Sequence, residues 1–458
     1  MAALVDDVRA QYPFPGIALG ICTRDGRGEM VYRGIAGDGA VVNASTVFRI
    51  GSVTKTMTAL ALLRQIEAGR ISLDDPVNDH LPDLVLEARP GWRPATIRHL
   101  LTHTAGIGEL SAWRDLATPM FGLAVPVGAD PRPASLLYRG RLRLDVEPGT
   151  KWAYANHGFN VAGYLLETLT GEPLAQHLRS QIFEPLGMTH TDARRTERVT
   201  PGLATGYSTG RRGLRESRNI DVAGPGGGAV FSTLADLVTY GGALLDNGRG
   251  IVAPASLQLA FDVHYRPSPT HPGIGLSFFR DEFAGHRLVG HGGGMPGFTT
   301  AFVLAPDDGV GVVAVTNTGR PGVWIAAHRA LCSLLGVDAG IPRRPLHPEQ
   351  WAGLLGRYRP GRGTLTNVRT LVVAGGATVR ATKRELRLHP ALPLGPWRAG
   401  VVTQPVDDAG TRYALDGSAF GLPPVTLHVE RDAGGRGRAL HLGGLQFGAL
   451  PALHRSRT

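Results

Sequence analysis

Ser52 and Lys55, three residues apart, have the types and spacing for a covalent reaction. Positions i and i+3 share one face of a helix, so a hydroxyl and an amine placed there can meet. A serine hydroxyl is a weak nucleophile until a nearby base takes its proton. A lysine amine can act as that base once it is desolvated, whereas an arginine guanidinium stays protonated. The chain holds 48 lysines plus arginines, of which only Lys55, Lys151 and Lys383 are lysines, and one of the three stands at this offset. A helix N-terminus also favours an oxyanion forming beside it. Taken alone, the pair reads equally well as a helix cap followed by a surface charge.

Two later stretches supply what such a pair needs. Trp152-Ala153-Tyr154-Ala155-Asn156-His157-Gly158 places a phenol and an amide close together after Glu147-Pro148-Gly149. A phenol near a cation can move protons, and an asparagine amide can hold a substrate carbonyl while touching the lysine. Gly290-His291-Gly292-Gly293-Gly294-Met295-Pro296-Gly297 follows near the end of the apolar-rich part. Glycines there allow a substrate backbone to approach a strand edge. The N–H of Gly294 can pair with that of Ser52 as an oxyanion hole, and His291 adds a donor or a charge beside the acyl group. Each stretch by itself is an ordinary loop or turn.

Together the three stretches resemble the serine β-lactamase and penicillin-binding-protein superfamily, on the class C β-lactamase and family VIII esterase side. The matching text is Phe48-Arg49-Ile50-Gly51-Ser52-Val53-Thr54-Lys55, then Tyr154-Ala155-Asn156, then His291-Gly292-Gly293. Leu73-Asp74-Asp75-Pro76-Val77, Leu100-Leu101-Thr102-His103-Thr104-Ala105-Gly106 and Phe183-Glu184-Pro185-Leu186-Gly187-Met188 also resemble it, so the likeness runs over about residues 10 to 338. It implies Ser52 as acylated nucleophile, Lys55 as base, Tyr154 as proton shuttle, and His291 in the third catalytic motif. It also implies a carbonyl-holding Asn156, an oxyanion hole of the Ser52 and Gly294 N–H groups, and substrate contacts at Gly292 and Gly293. His99 and His103 fall in the structural stretch and are expected to pack or hydrogen-bond. Where β-lactamases of this type have Lys-Thr-Gly, this chain has His291-Gly292-Gly293. A mostly neutral histidine binds a carboxylate less well than a lysine, so a weak β-lactamase at most is implied.

The elements that must position these groups are readable from pattern. Gly16 to Cys22 and Glu29 to Ile35 read as a hairpin turning at Asp25-Gly26. Val53 to Ala68 is helical, with Gly69 as its stop. Arg287 to Gly290, Phe298 to Ala305 and Gly311 to Thr316 read as strands, and Val323 to Leu335 as a helix against them. The middle, about Ile71 to Gly285, reads as helical and loop-rich. It has helices at Phe159 to Leu169, Leu174 to Phe183 and Thr233 to Leu245, the last with a capping box from Thr233 and Asp236. Gly224 to Gly228 is a loop. The expected fold class is α+β: an antiparallel sheet flanked by helices with an all-helical insertion, occupying residues 1–340.

After Pro342-Arg343-Arg344-Pro345 the texture changes to short alternating segments. Thr364 to Val373, Val379 to Leu388, Val425 to Glu430 and Ala439 to Leu445 are separated by glycine-rich turns such as Gly375-Gly376. Residues 346–458 therefore read as a separate all-β domain. Leu354-Leu355-Gly356-Arg357-Tyr358 resembles the opening of the lipocalin-like barrels attached to some enzymes of the superfamily, among them D-aminopeptidases and stand-alone cyclases of nonribosomal peptides.

Composition bounds the rest. Hydrophobic content is 43% and charged content 19%, as in folded globular proteins. No apolar run is long enough to span a membrane. The first residues lack a basic start and apolar core, so a soluble, cytoplasmic protein is expected. Cys22 and Cys332 are expected to be buried thiols, and no metal or organic cofactor is expected. The net charge is +10, and from Leu346 onward 15 basic against 7 acidic residues leave +8 of it. These arginines are scattered and no nucleic-acid motif accompanies them, so no nucleic-acid partner is expected. Arg455 and Arg457 are the candidates for an arginine reaching the site from the second domain. The expected partner is a small-molecule or short-peptide substrate, and Leu110 to Arg143 is expected to form one wall of its pocket. The expected activity is a serine acyl hydrolase on ester, amide or D-amino-acid peptide bonds. The alternatives are a transacylase or peptide cyclase, in which an amine takes the acyl group, and a non-catalytic binding protein on the same fold.

Overall fold

The computed structural model describes residues 1–449 except 27, 111–114, 116–117, 211–212, 321, 342–347, 361–375, 383–384, 391–398 and 443–444. The chain packs as two compact units. The first takes Met1–Tyr265 and Gly273–Ala339, the second Gly340–Thr458 together with the short segment Arg266–Pro272.

In the first unit the helix α1 (Ala2–Gln11) leads into the strands β1 (Gly16–Thr23), β2 (Met30–Gly37) and β3 (Ala40–Val41). The helices α2 (Thr54–Glu67), α3 (Asn156–Thr170) and α4 (Leu234–Leu245) follow. The strands β4 (Phe279–Phe283), β5 (His286–Met295), β6 (Phe298–Ala305) and β7 (Val310–Thr316) come next, then the helix α5 (Val323–Leu335). The sheet order is β4-β5-β6-β7-β1-β2-β3, antiparallel throughout. The centre of the sheet thus joins the two ends of the unit, with Ile17 opposite Thr316 and Thr23 opposite Val310.

Alternation along these strands sorts the core into two layers. Ile17, Leu19, Ala301, Val312 and Ala314 meet Val5 and Val8 of α1 and Val323, Ala326 and Ala330 of α5. Ala18, Cys22, Phe302, Val313 and Val315 face Leu234, Leu237 and Val238 of α4 and the larger core that includes Met57, Leu60 and Leu63 of α2. Cys22 and Cys332 are buried free thiols.

The structure differs from the sequence reading in several places. The glycine stretch His291–Met295 is not a turn between strands but the second half of β5. β4 lies in the region read as helix and loop; Arg280, Asp281 and Glu282 hide its pattern. That middle region also contains three short ribbons, pairing Val85–Glu87 with Arg141–Arg143, Ala124–Val125 with Asp221–Val222, and Tyr207–Gly210 with Gly213–Glu216. Leu174 to Phe183 is an α-helix only to Leu178, and Arg179–Phe183 is a π-helical turn. Thr233 does cap α4 by accepting from the Asp236 N–H at 3.2 Å. The Asp236 carboxylate, however, turns to the His190 N–H and the Thr191 hydroxyl rather than back to the cap.

The second unit is a closed barrel of eight antiparallel strands, each beside its sequence neighbours. It closes where Tyr358 pairs with Ala449. Its interior holds Trp351, Tyr358, Leu386, Tyr413, Leu427 and Leu440. Val379 to Leu388 proves to be two strands, Ala377–Ala381 and Leu386–Pro390, and Val401–Pro405 and Arg412–Leu415 are further strands the pattern did not show. The Pro342–Pro345 linker and the Thr364–Val373 segment lie outside the described residues.

Candidate active site

Three short pieces of backbone converge on Lys55. The strand Val47–Arg49 runs into a 3₁₀ turn, Gly51–Val53, and directly into α2. Thr54 fixes this junction: its hydroxyl donates to Gly51 O at 2.7 Å and accepts from the Val230 N–H at 3.2 Å. Ser52 is half-buried on the turn, and Lys55, one turn along, is fully buried. The Lys55 ammonium nitrogen donates to Ser52 Oγ at 3.0 Å, to Asn156 Oδ1 at 2.8 Å and to Gly227 O at 2.5 Å. It also lies 5.0 Å from the centre of the Tyr154 ring and 5.5 Å from that of Phe159. A fully desolvated charge is costly, so this nest of neutral acceptors and rings suits an amine that accepts a proton as well as one that carries it.

Asn156 opens α3, and Tyr154 sits two residues before it on an extended segment. His103 holds that segment. Its carbonyl accepts from the Ala153 N–H at 2.9 Å and its Nδ1 from the Ala155 N–H at 3.2 Å. His103 adopts φ of 58°, and its ring lies 4.3 Å from that of Tyr154. His99 has a local job: its Nδ1 accepts from the Thr96 N–H while Thr96 Oγ1 accepts from the His99 N–H, a capping box with histidine in place of glutamate. Burial, with Arg93 and Arg98 nearby, pushes the His99 imidazole down. Both histidines are structural, as their place in the sequence implied.

Opposite Ser52 runs the second half of β5. Gly293 and Gly51 make the close approach possible. A Cβ at Gly293 would stand 1.9 Å from Ile50 O, and one at Gly51, whose φ is 52°, would stand 2.7 Å from Gly294 N. A Cβ on Gly294 would meet nothing within 4 Å. β4 pairs with β5 only from His286 to Gly290. From His291 to Met295 the ladder continues, among the described residues, on the β6 side alone. The other side of that half-strand has no ladder partner among the described residues, and Gly293 and Gly294 there approach the Gly51–Val53 turn. His291 is buried, its Nδ1 2.6 Å from Gly292 O and its ring 4.9 Å from that of Phe279. Phe279, Trp152, Tyr154 and His103 complete an aromatic cluster.

The structure thus brings Ser52, Lys55, Tyr154, Asn156 and the β5 edge of His291 to Gly294 to one place. Three contributors have no signal in the residue letters: the Gly227 carbonyl, the Phe159 face and the β4 residue Phe279. Gly227 stands in the Gly224 to Gly228 stretch, which forms a 3₁₀ turn at Pro225–Gly227. Arg455, Arg457 and residues 111–114 and 116–117 of the expected pocket wall lie outside the described residues. Among the described residues no cluster of histidine, cysteine, aspartate or glutamate suits a metal ion, and no helix is long and apolar enough to cross a membrane.

The chain is similar to several known proteins. The chain is similar to an unguisins hydrolase of Aspergillus campestris, 30% identical over 60% of this chain and 53% of that one. It is similar to a D-aminopeptidase of Gluconobacter oxydans, 27% identical over 83% of this chain and 69% of that one. The chain therefore spans about half the length of the first relative. A solved penicillin-binding protein homologue from Pyrococcus abyssi shares the fold, with a TM-score of 0.62 at 23% identity, covering 97% of this chain and 98% of that one. The family model described as Beta-lactamase matches residues 1–331, and the chain belongs to that family.

Proposed function

We propose that this protein is a serine acyl hydrolase that works through a covalent acyl-enzyme. Ser52 Oγ attacks the carbonyl carbon of an ester or amide as Lys55 Nζ takes its proton. The tetrahedral oxyanion is held by the N–H groups of Ser52 and Gly294 at the head of the helix. Tyr154 passes a proton to the leaving alcohol or amine. Asn156 holds the acyl carbonyl, and the second half of β5 takes the substrate backbone, with Gly292 and Gly293 as backbone contacts along it. Water then attacks the ester on Ser52 and releases a carboxylic acid. His291 assists at the acyl group and is auxiliary.

The observation that supports this most is the position of Lys55: fully buried, 3.0 Å from Ser52 Oγ and held by two neutral carbonyl oxygens. A surface charge or a simple helix cap has no use for that arrangement. The D-aminopeptidase and hydrolase names of the relatives support ester, amide or D-amino-acid peptide bonds as the substrate class. A fluorophosphonate probe followed by mass spectrometry tests the reading. One adduct is expected on Ser52, with none in Ser52→Ala. An unlabelled wild-type protein, or a label that persists in the variant, would remove the hydrolase assignment.

A further inference from the structure

A cavity of about 60 Å³, partly open to solvent, lies beside the strand Val47–Arg49. Arg49, Arg194, Arg195, Asp221 and Phe231 are among the residues that line it. Arg49 ends the strand Val47–Arg49 and pairs across it with Phe231. The guanidinium carbons of Arg49 and Arg195 each lie 5.2 Å from the centre of the Phe231 ring.

The charges there do not balance. Asp221 accepts from Arg195 Nε at 3.0 and 2.9 Å and from the Gly128 N–H at 2.9 Å, while Arg49 Nη2 stands off at 3.6 Å. Two guanidiniums therefore share one carboxylate. Arg194 reaches Asp130, whose side chain is 83% exposed, where a pair is worth little. Arg49 is only 3% exposed. Its Nη1 donates to Ile220 O, but its Nε, also buried, meets no acceptor among the described residues. A buried donor left without a partner is costly, and more so on a charged group. Burial, only partly offset by Asp221 and worsened by Arg195, lowers the Arg49 guanidinium to about 10.

We propose that this cavity is a binding site for a small oxyanion, a carboxylate or a phosphate, held by Arg49, Arg195 and Arg194. Such a ligand supplies the missing negative charge. Planar guanidiniums are suited to both anions. The site is distinct from the acyl site. It nevertheless shares backbone with it, because Arg49 stands three residues before Ser52 and Pro225 on its wall begins the turn whose Gly227 carbonyl holds Lys55.

Calorimetric titration of the full chain with sodium acetate and, separately, sodium phosphate tests this, with sodium chloride at matched ionic strength as the reference. Saturable binding of at least one of the two is expected, and which one binds identifies the anion. Arg195→Gln should weaken it about tenfold, the size expected for a lost charged hydrogen bond. The more exposed Arg194→Gln, which should fold normally, should weaken it several-fold. Ser52→Ala should bind as the wild type does, so the result stands apart from the fate of the hydrolase assignment. No saturable binding of either anion beyond chloride, or binding unchanged in both arginine variants, would overturn the proposal.

Discussion

Lys55 is the residue on which the proposed chemistry turns, and its replacement by arginine is the most telling single change. The guanidinium keeps a positive charge but cannot act as a base and is too broad for the space between Asn156 Oδ1 and Gly227 O. Lys55→Arg should lower turnover of a p-nitrophenyl ester by at least about 10²-fold, the scale of a lost general base. Tyr154→Phe keeps the ring that stacks on His103 and Phe279 and removes only the hydroxyl. A loss of about 10²-fold is expected from it, with the melting temperature nearly unchanged. Near-normal rates would take Tyr154 out of proton transfer. His291→Ala should cost less than either. At this scale the sequence was informative because side chains carry their chemistry in their letters. The Gly227 carbonyl was invisible for the opposite reason, since every residue has one and only the fold decides which faces the lysine.

Two neighbouring glycines of β5 separate the demands of an element from those of a residue. Gly293 has Ile50 O where its side chain would go, whereas Gly294 has open space. Gly293→Ala should push β5 off the Gly51–Val53 turn, destabilise the protein by about 1–3 kcal/mol as overpacking does, and disable it. Gly294→Ala should fold normally, which urea unfolding of the two variants would show side by side. Equal stability in both would mean that the close approach of strand and turn is misplaced. Long elements with clean periodicity were legible: α2, α3, α5 and the strands β1, β6 and β7 all begin and end near where pattern placed them. β4 was not, because a strand covering only half of its neighbour and partly solvated tolerates Arg280, Asp281 and Glu282 and so loses its alternation. The capping box fared likewise: Thr233 and Asp236 have the spacing, but Asp236 found better partners in His190 and Thr191, while Thr96 used a histidine no rule anticipates.

For the molecule as a whole, buried histidines set the response to acid. Burial pushes His157 of α3 down to about 4, and its Nδ1 is paired with the Tyr138 hydroxyl at 2.9 Å. His428 in the barrel is also pushed to about 4, by burial first and then by Arg412. The folded protein keeps both rings neutral while the unfolded chain takes up protons near 6.5. Their contribution is therefore complete above about pH 6.5 and is lost as the pH falls towards 4. Each is worth at most about 3 kcal/mol over that window. Urea unfolding between pH 8 and 5 should show this slope, and His157→Gln should flatten it without altering stability at pH 8 by the same amount.

The seam between β1 and β7 has a consequence during synthesis. Ser52 and Lys55 leave the ribosome some 240 to 260 residues before Gly293 and the partner strand that ends at Thr316. Until then the half-made sheet lacks its central neighbour, and the hydroxyl has no wall against which to align an ester. A nascent chain is thus chemically silent, while its unpaired apolar strand calls for shelter from self-association. On the proposed mechanism, reactivity waits for the β6–β7 hairpin that joins β5 to the early strands, so synthesis order would delay acylation of Ser52.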